Sequence, residues 1–175
     1  KSWKEYNRAT ANLGAIYLHQ QNYPLAISLL EQAQQSYDRM SSFESFVVVY
    51  LNLSQAYTMT GDHQKALDYA QSAQAIAETI IGAYPSQLIV HRCLGGCELL
   101  DIEQRIRHLE IALDLSQEHR AFDTAACQLG LSYLYAKLGK QTDYGEAGAD
   151  ILNSLGAQRW LRKFKTDYPH LPLMI

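Results

Sequence analysis

The chain has 175 residues, 47% of them hydrophobic and 19% charged, so it is long enough to bury a core and ordinary in its balance of apolar and polar groups. Its formal net charge of −3 excludes a nucleic-acid or anionic-membrane surface as the expected partner, because phosphate binding rests on clustered Lys and Arg. No window approaches the ~20 apolar residues of a membrane span, no signal peptide is visible, and three cysteines without the density of a disulfide scaffold favour a reducing, cytoplasmic compartment.

The first helix is expected from about Ser2, a plausible N-cap, to Gln20, with Ala9, Leu13, Ile16 and Tyr17 forming one buried stripe. A turn at Gln21-Asn22 leads into a second helix with Pro24 in its first turn and Ala26, Leu30, Ala33 and Tyr37 on one face. Ser41-Ser42 caps a third helix, Phe43 to Thr60, closed by Gly61. Asp62 caps a fourth, whose stripe Ala66, Ala70, Ala73, Ala77 and Ile80 is small enough for neighbouring helices to approach closely.

Pro85-Ser86 opens a fifth helix, to about Glu98, and Asp101 to Gln104 has the spacing of a capping box for a sixth through Ile106, Leu109, Ala112 and Leu113. A seventh covers roughly Arg120 to Leu138 and stops at Gly139; an eighth runs from about Asp143 to Leu155. Gly156 separates it from a ninth, Gln158 to Lys165, read as a solvating cap with Arg159, Arg162, Lys163 and Lys165 as its wet face. Tyr168 to Pro172 cannot continue a helix, so residues 167–175 are expected as an extended tail. No strand pattern appears, and the expectation is all-α.

A shift of 40 carries Asn12 to Asn52, Leu13 to Leu53, Tyr17 to Tyr57, Ala26 to Ala66, Ala33 to Ala73 and Gln34 to Gln74. Self-similarity at such a period marks stacked units that cannot bury their apolar faces alone. Leu13-Gly14, Tyr17, Ala26 and Ala33, followed by Leu53-Ser54, Tyr57, Gly61, Ala66 and Ala73, resemble the tetratricopeptide repeat. Leu94-Gly95 with Ala112, and Leu129-Gly130 with Tyr133, look like degenerate third and fourth copies. The steps of 40, 41 and 35 residues exceed the family's usual ~34.

The resemblance implies a right-handed superhelix of antiparallel helix pairs. Its expected extent is one domain, residues 1–166, with repeats at roughly 7–40, 47–83, 86–117 and 120–155 and a cap at 157–166. A first residue of Lys rather than Met is what an excised piece of a longer protein would show.

In that family the flank of each first helix away from the core lines a groove for peptides. With the core Leu at zero and ~100° per residue, the flank at roughly 200° to 260° is taken by Arg8, Asn12, Ala15 and His19 in the first repeat and Val48, Asn52, Gln55 and Met59 in the second. The third gives Ile89, Cys93, Gly96 and Leu100, and the fourth Thr124, Gln128, Leu131 and Tyr135. Asn12 and Asn52 match the position where relatives hold a peptide backbone, an amide being both donor and acceptor, although tolerated surface amides would look the same. The lysines of the family's carboxylate clamp have no match, since Ala11, Ala15, Ile89 and Cys93 stand there. The apolar third and fourth flanks call for a cover: the ninth helix, the tail Leu171 to Ile175, a partner helix or a second copy.

The expected function is therefore a non-catalytic scaffold for a protein or peptide ligand, without cofactor or metal. Six scattered histidines, with no His-Glu-x-x-His, Gly-x-Ser-x-Gly or phosphate loop, offer no constellation for catalysis. Cys93 and Cys97 near His91 lack a fourth zinc ligand and are read as packing residues. The stretch Ile151 to Leu161 also looks like the closing helices of tetratricopeptide arms in bacterial signalling ATPases, cyclases and transcription activators, which leaves an effector-sensing regulatory arm as the alternative.

Overall fold

The computed structural model describes residues 3–37, 43–79, 84–116 and 120–167. Among them the chain forms nine helices and no strand: α1 (Trp3–His19), α2 (Tyr23–Tyr37), α3 (Phe43–Thr60), α4 (His63–Glu78), α5 (Tyr84–Gly96), α6 (Ile102–Ser116), α7 (Ala121–Lys137), α8 (Tyr144–Ser154) and α9 (Gln158–Asp167). The all-α, paired-helix architecture is the one expected. Capping by Ser2 and Ser41-Ser42, and the extended tail from 168 onward, lie outside the described residues.

Local chemistry sets the helix ends. Asp62 Oδ1 accepts from the Lys65 N–H at 3.2 Å. Asp101 and Gln104 close a reciprocal capping box, the Gln104 N–H donating to Asp101 Oδ1 at 2.7 Å and the Asp101 N–H to Gln104 Oε1 at 3.2 Å. Three first helices end alike, with a left-handed residue at Gln21, Gly61 or Gly139. The following N–H then reaches back to a tyrosine carbonyl: Asn22 to Tyr17, Asp62 to Tyr57 and Lys140 to Tyr135, at 2.9, 3.0 and 2.9 Å. These are Schellman closures, which satisfy carbonyls that the helix leaves orphaned.

The chain divides into two compact units, Lys1–Leu99 and Leu100–Ile175. In the first, each helix packs on the next, and α3 also touches α1 and α5, so the first helices of successive pairs lie side by side. Its core joins Leu30 and Ala33 of α2 to Val49, Leu53 and Tyr57 of α3 and Ala66 of α4. A Cβ on Gly14 would come within 2.8 Å of Leu30 Cγ, so the Leu-Gly step lets α1 and α2 close up. The alanine stripe of α4 is buried at Ala66, Ala70, Ala73 and Ala77. In the second unit α6 packs on α7, α7 on α8 and α8 on α9. Leu161 of α9 closes a cluster with Ala125, Leu129, Ala149 and Leu152, while Arg159 and Arg162 stay exposed as a wet cap face should.

The first helix departs from its expected stripe. Leu13 is 42% and Ile16 51% exposed, Ala9 is exposed and Tyr17 is half-buried. The buried side of α1 is instead Asn7, Thr10, Ala11, Gly14 and Leu18, roughly 130° round the helix. The cause is position in the stack. Leu53 has helices on both flanks and is wholly buried, whereas the arc of α1 carrying Leu13 has no helix of the first unit on it among the described residues.

Candidate functional site

The flank expected to bind is carried in the first unit by α1, which lies against α3, and by α3, which also lies against α5. On α1 it presents Arg8, Asn12 and His19, all exposed. On α3 it presents Val48, Gln55 and Met59, exposed, with Asn52 half-buried beside them. Leu51, Leu53, Ser54, Ala56 and Tyr57 of α3 are buried, while Val48, Gln55 and Met59 meet solvent. The flank's chemistry is a guanidinium, three amides and a histidine on one helix pair, mixed with a valine at 52% and a methionine at 53% exposure. Amides supply donor and acceptor together, and methionine adapts to irregular apolar surfaces. On α5 the corresponding Ile89 and Cys93 are half-buried, and burial pushes the Cys93 thiol up, away from the reactive thiolate. His91 is also half-buried, and that burial lowers its pKa.

In the second unit Gln128, Leu131 and Tyr135 do not form a corresponding flank. Leu131 is 0% exposed, locked in a core with Ile106, Leu109, Ala112, Cys127 and Leu134. Gln128 is half-buried, and its Cβ lies 3.3 Å from where a Cβ on Gly148 of α8 would sit. Tyr135 points back to α6, its hydroxyl donating to Glu110 Oε1 at 2.7 Å.

The register explains all three. A shift of 78 carries Leu53 to Leu131, Ser54 to Ser132, Tyr57 to Tyr135 and Gly61 to Gly139, and both tyrosines make the Schellman closure. The repeat Leu is therefore Leu131, not Leu129, and Gly130 is spaced against Leu109 of α6, where a Cβ would come within 2.8 Å of Cδ1. The side chains equivalent to Val48, Gln55 and Met59 become Ala126, Tyr133 and Lys137, and the Lys137 ammonium sits 4.5 Å from the Tyr133 ring centroid. The sequence signal for this was the Tyr-x-x-x-Gly step at 57–61 and 135–139, which the Leu-Gly dipeptide at 129–130 masked.

One constellation, absent from the sequence reading, occurs in both units. The Tyr57 hydroxyl of α3 donates to Glu31 Oε1 of α2 at 2.6 Å, as Tyr135 of α7 does to Glu110 of α6. Tyr57 stacks on Tyr69 at 5.7 Å, and Tyr135 on Tyr144 at 6.3 Å. Lys65 lies 4.7 Å from the Tyr57 centroid and Lys140 5.8 Å from that of Tyr135. The hydrogen bond to Glu110, then burial, pushes Tyr135 up to about 12. Burial, then the bond to Glu31, pushes Tyr57 higher still. Both glutamates stand in the same tetrapeptide pattern, Leu30-Glu31-Gln32-Ala33 and Leu109-Glu110-Ile111-Ala112. An open recess of about 400 Å³ lies beside the second copy, lined by Glu103, Ile106, Arg107, Glu110, Tyr135, Leu138 and Lys140. Its phenol and carboxylate already satisfy each other, so the arrangement clips helices together.

Among the described residues no group of three or more His, Cys, Asp or Glu side chains could hold a metal ion. No helix among them is long and apolar enough to cross a membrane. A family model described as tetratricopeptide repeat matches residues 6–79, the span of α1 through α4. No curated protein matches the chain.

Proposed function

We propose that this chain, a tetratricopeptide repeat protein by its residues 6–79, is a non-catalytic scaffold that binds a protein or peptide along the inner face of α1 and α3. Tetratricopeptide repeats as a class are protein–protein interaction modules. The observation that carries the reading is the row Arg8, Asn12 and His19 on α1 beside Gln55 and Met59 on α3, solvent-facing on two helices that touch, with Asn52 at its inner edge. An extended peptide laid across them would find amide donors and acceptors for its backbone and Met59 with Val48 for an apolar side chain.

The test is a binding comparison using the partner captured by the wild-type chain from extract and then purified. Asn12→Ala with Asn52→Ala should weaken its binding by roughly 1–3 kcal/mol, the cost of leaving peptide backbone groups unpaired, with the helical signal unchanged. Undiminished binding by the double variant and by Met59→Glu would remove the inner face from consideration.

A further inference from the structure

The recess of about 400 Å³ beside Tyr135 belongs wholly to the second unit, and the internal duplication separates the residues that build it from those that face into it. A shift of 79 carries Leu30 to Leu109 and so α2 onto α6, while the shift of 78 carries α3 onto α7. Three lining residues are shared with the first unit: Ile106 stands for Ile27, Glu110 for Glu31 and Tyr135 for Tyr57. These are the packing and the helix clip of both copies. The other four lining residues all change. Pro24 and Ser28 become Glu103 and Arg107, and Thr60 and Asp62 become Leu138 and Lys140.

In the first unit the replaced residues serve the fold. Pro24 sits in the first turn of α2, where its missing N–H costs nothing. The Thr60 hydroxyl donates to the Tyr57 carbonyl at 3.1 Å, and Asp62 caps α4 and pairs with Lys65 at 3.6 Å. Their replacements take over none of this. Glu103 and Arg107, one turn apart on α6, make no hydrogen bond or ion pair among the described residues. Leu138 is 41% exposed, and the Lys140 ammonium lies 5.8 Å from the Tyr135 ring centroid. The connection lengthens as well: Gly61-Asp62 alone joins α3 to α4, whereas residues 138–143 join α7 to α8. Each departure adds a charge, an apolar surface or room where the sibling repeat has a tight turn.

We propose that this recess binds a small zwitterion, a free amino acid with an apolar side chain. Arg107 and Lys140 come from two elements and converge on its carboxylate, which charge-assisted hydrogen bonds favour. Glu110 is already held by Tyr135, so Glu103 takes the ammonium. Ile106 and Leu138 supply the apolar surface for the side chain. Two cations and two carboxylates leave the recess with no net charge, so a plain anion or a plain cation meets as much repulsion as attraction, and a ligand of both signs does not. The volume suits such a ligand, since small-molecule clefts run from about 300 to 1,000 Å³. The site lies in the second unit and does not depend on the inner face of α1 and α3.

The probe is L-leucine, titrated onto the full 175-residue chain with isotope-labelled isoleucine and leucine methyl groups. The Ile106 and Leu138 methyl signals should shift saturably by about 10 mM ligand, ten times the ~1 mM Kd expected of so open a site, while those of Leu53 in the first unit stay in place. N-acetyl-L-leucine, which lacks the ammonium, and L-leucinamide, which lacks the carboxylate, should each bind at least about fivefold more weakly. Arg107→Gln with Lys140→Gln should weaken leucine to the same extent and leave leucinamide unchanged, and Glu103→Gln should weaken leucine and leave N-acetyl-leucine unchanged. That crossed pattern distinguishes recognition from a loss of fold, and all three positions are exposed. The proposal is overturned if neither methyl group shifts, if the three ligands shift them alike, or if N-acetyl-leucine binds more tightly than leucine, which would make the recess a plain anion site.

Discussion

The Tyr57 hydroxyl donates to Glu31 Oε1 at 2.6 Å, which ties the first helix of one repeat to the second helix of the repeat before it. The neutral phenol is what this bond favours, so the proton is held more tightly in the folded chain than in the unfolded one. The same holds for Tyr135 on Glu110.

A pH prediction follows from the sign. An unfolded tyrosine titrates near its ordinary value of ~10, while Tyr135 in the fold is pushed up to about 12. The stabilisation is complete below the unfolded value and is lost as pH rises from there through the folded one, where the unfolded chain has released a proton that the folded chain still holds. Urea midpoints should therefore fall between about pH 10 and 12, and Tyr57→Phe with Tyr135→Phe should flatten that fall. At pH 8 the same pair should cost roughly 0.5–1.5 kcal/mol per lost bond. Tyrosinate absorbance during alkaline titration gives the second readout. Tyr57 and Tyr135 should ionise after most of the 12 tyrosines, and only with unfolding. An alkaline limb identical in wild type and the double variant would show that these hydrogen bonds do not form in solution.

The alanine stripe of α4 predicts a sharp contrast between neighbouring positions. Ala73 is wholly buried, and Gln71, two residues earlier, is exposed. Ala73→Leu should overpack the helix contact and cost roughly 1–3 kcal/mol. Gln71→Leu should stay within ~0.5 kcal/mol of wild type. Equal midpoints in urea melts would mean that α4 is rotated from the placement described.

The cysteines are expected to act as small apolar groups. Cys127 is buried and Cys93 and Cys97 half-buried, all three as free thiols. Chelator or reductant should leave both the helical signal and the melting temperature unchanged. A drop of several degrees under either would point to a metal or a disulfide instead. Cys93 should also resist thiol-reactive dyes at neutral pH, because burial raises its pKa.

Helix existence and ends were legible in the sequence because local chemistry decides them: the capping box at Asp101 and Gln104, the cap at Asp62 and the left-handed glycines act within a few residues. Which side of a helix is buried was legible only where the neighbours are part of the pattern. Leu53 and Leu13 are the same residue in the same register, yet one is core and the other surface, because stacking and not the local sequence decides. In the second unit the failure was one of register. Leu129-Gly130 imitates the repeat dipeptide, and a two-residue error turns a helix by roughly 200°, which moved Leu131 and Tyr135 from the core and the helix clip onto an imagined groove. In the first unit Asn12, Gln55 and Met59 are exposed and Asn52 half-buried, a pattern that the unbroken shift of 40 leaves in one register.

Leu131 supplies the decisive comparison for that register. It is 0% exposed and sits among Leu109, Ala112, Cys127 and Leu134, so Leu131→Ala should open a cavity and cost ~2–5 kcal/mol. Lys137 lies on the exposed flank of the same helix, over the Tyr133 ring, and Lys137→Ala should cost no more than about 1 kcal/mol, the scale of an exposed cation–π contact. If α7 instead carried Leu131 toward a groove, the order would reverse: truncating Leu131 would be nearly neutral for folding and costly for binding. Urea melts of the two variants decide it without any knowledge of the partner. The expected result also sets what a binding experiment on the second unit can use, since Leu131→Glu would abolish binding simply by unfolding the helix pair α6 and α7. Lys137, exposed on the same helix, is a position at which a substitution leaves that core intact.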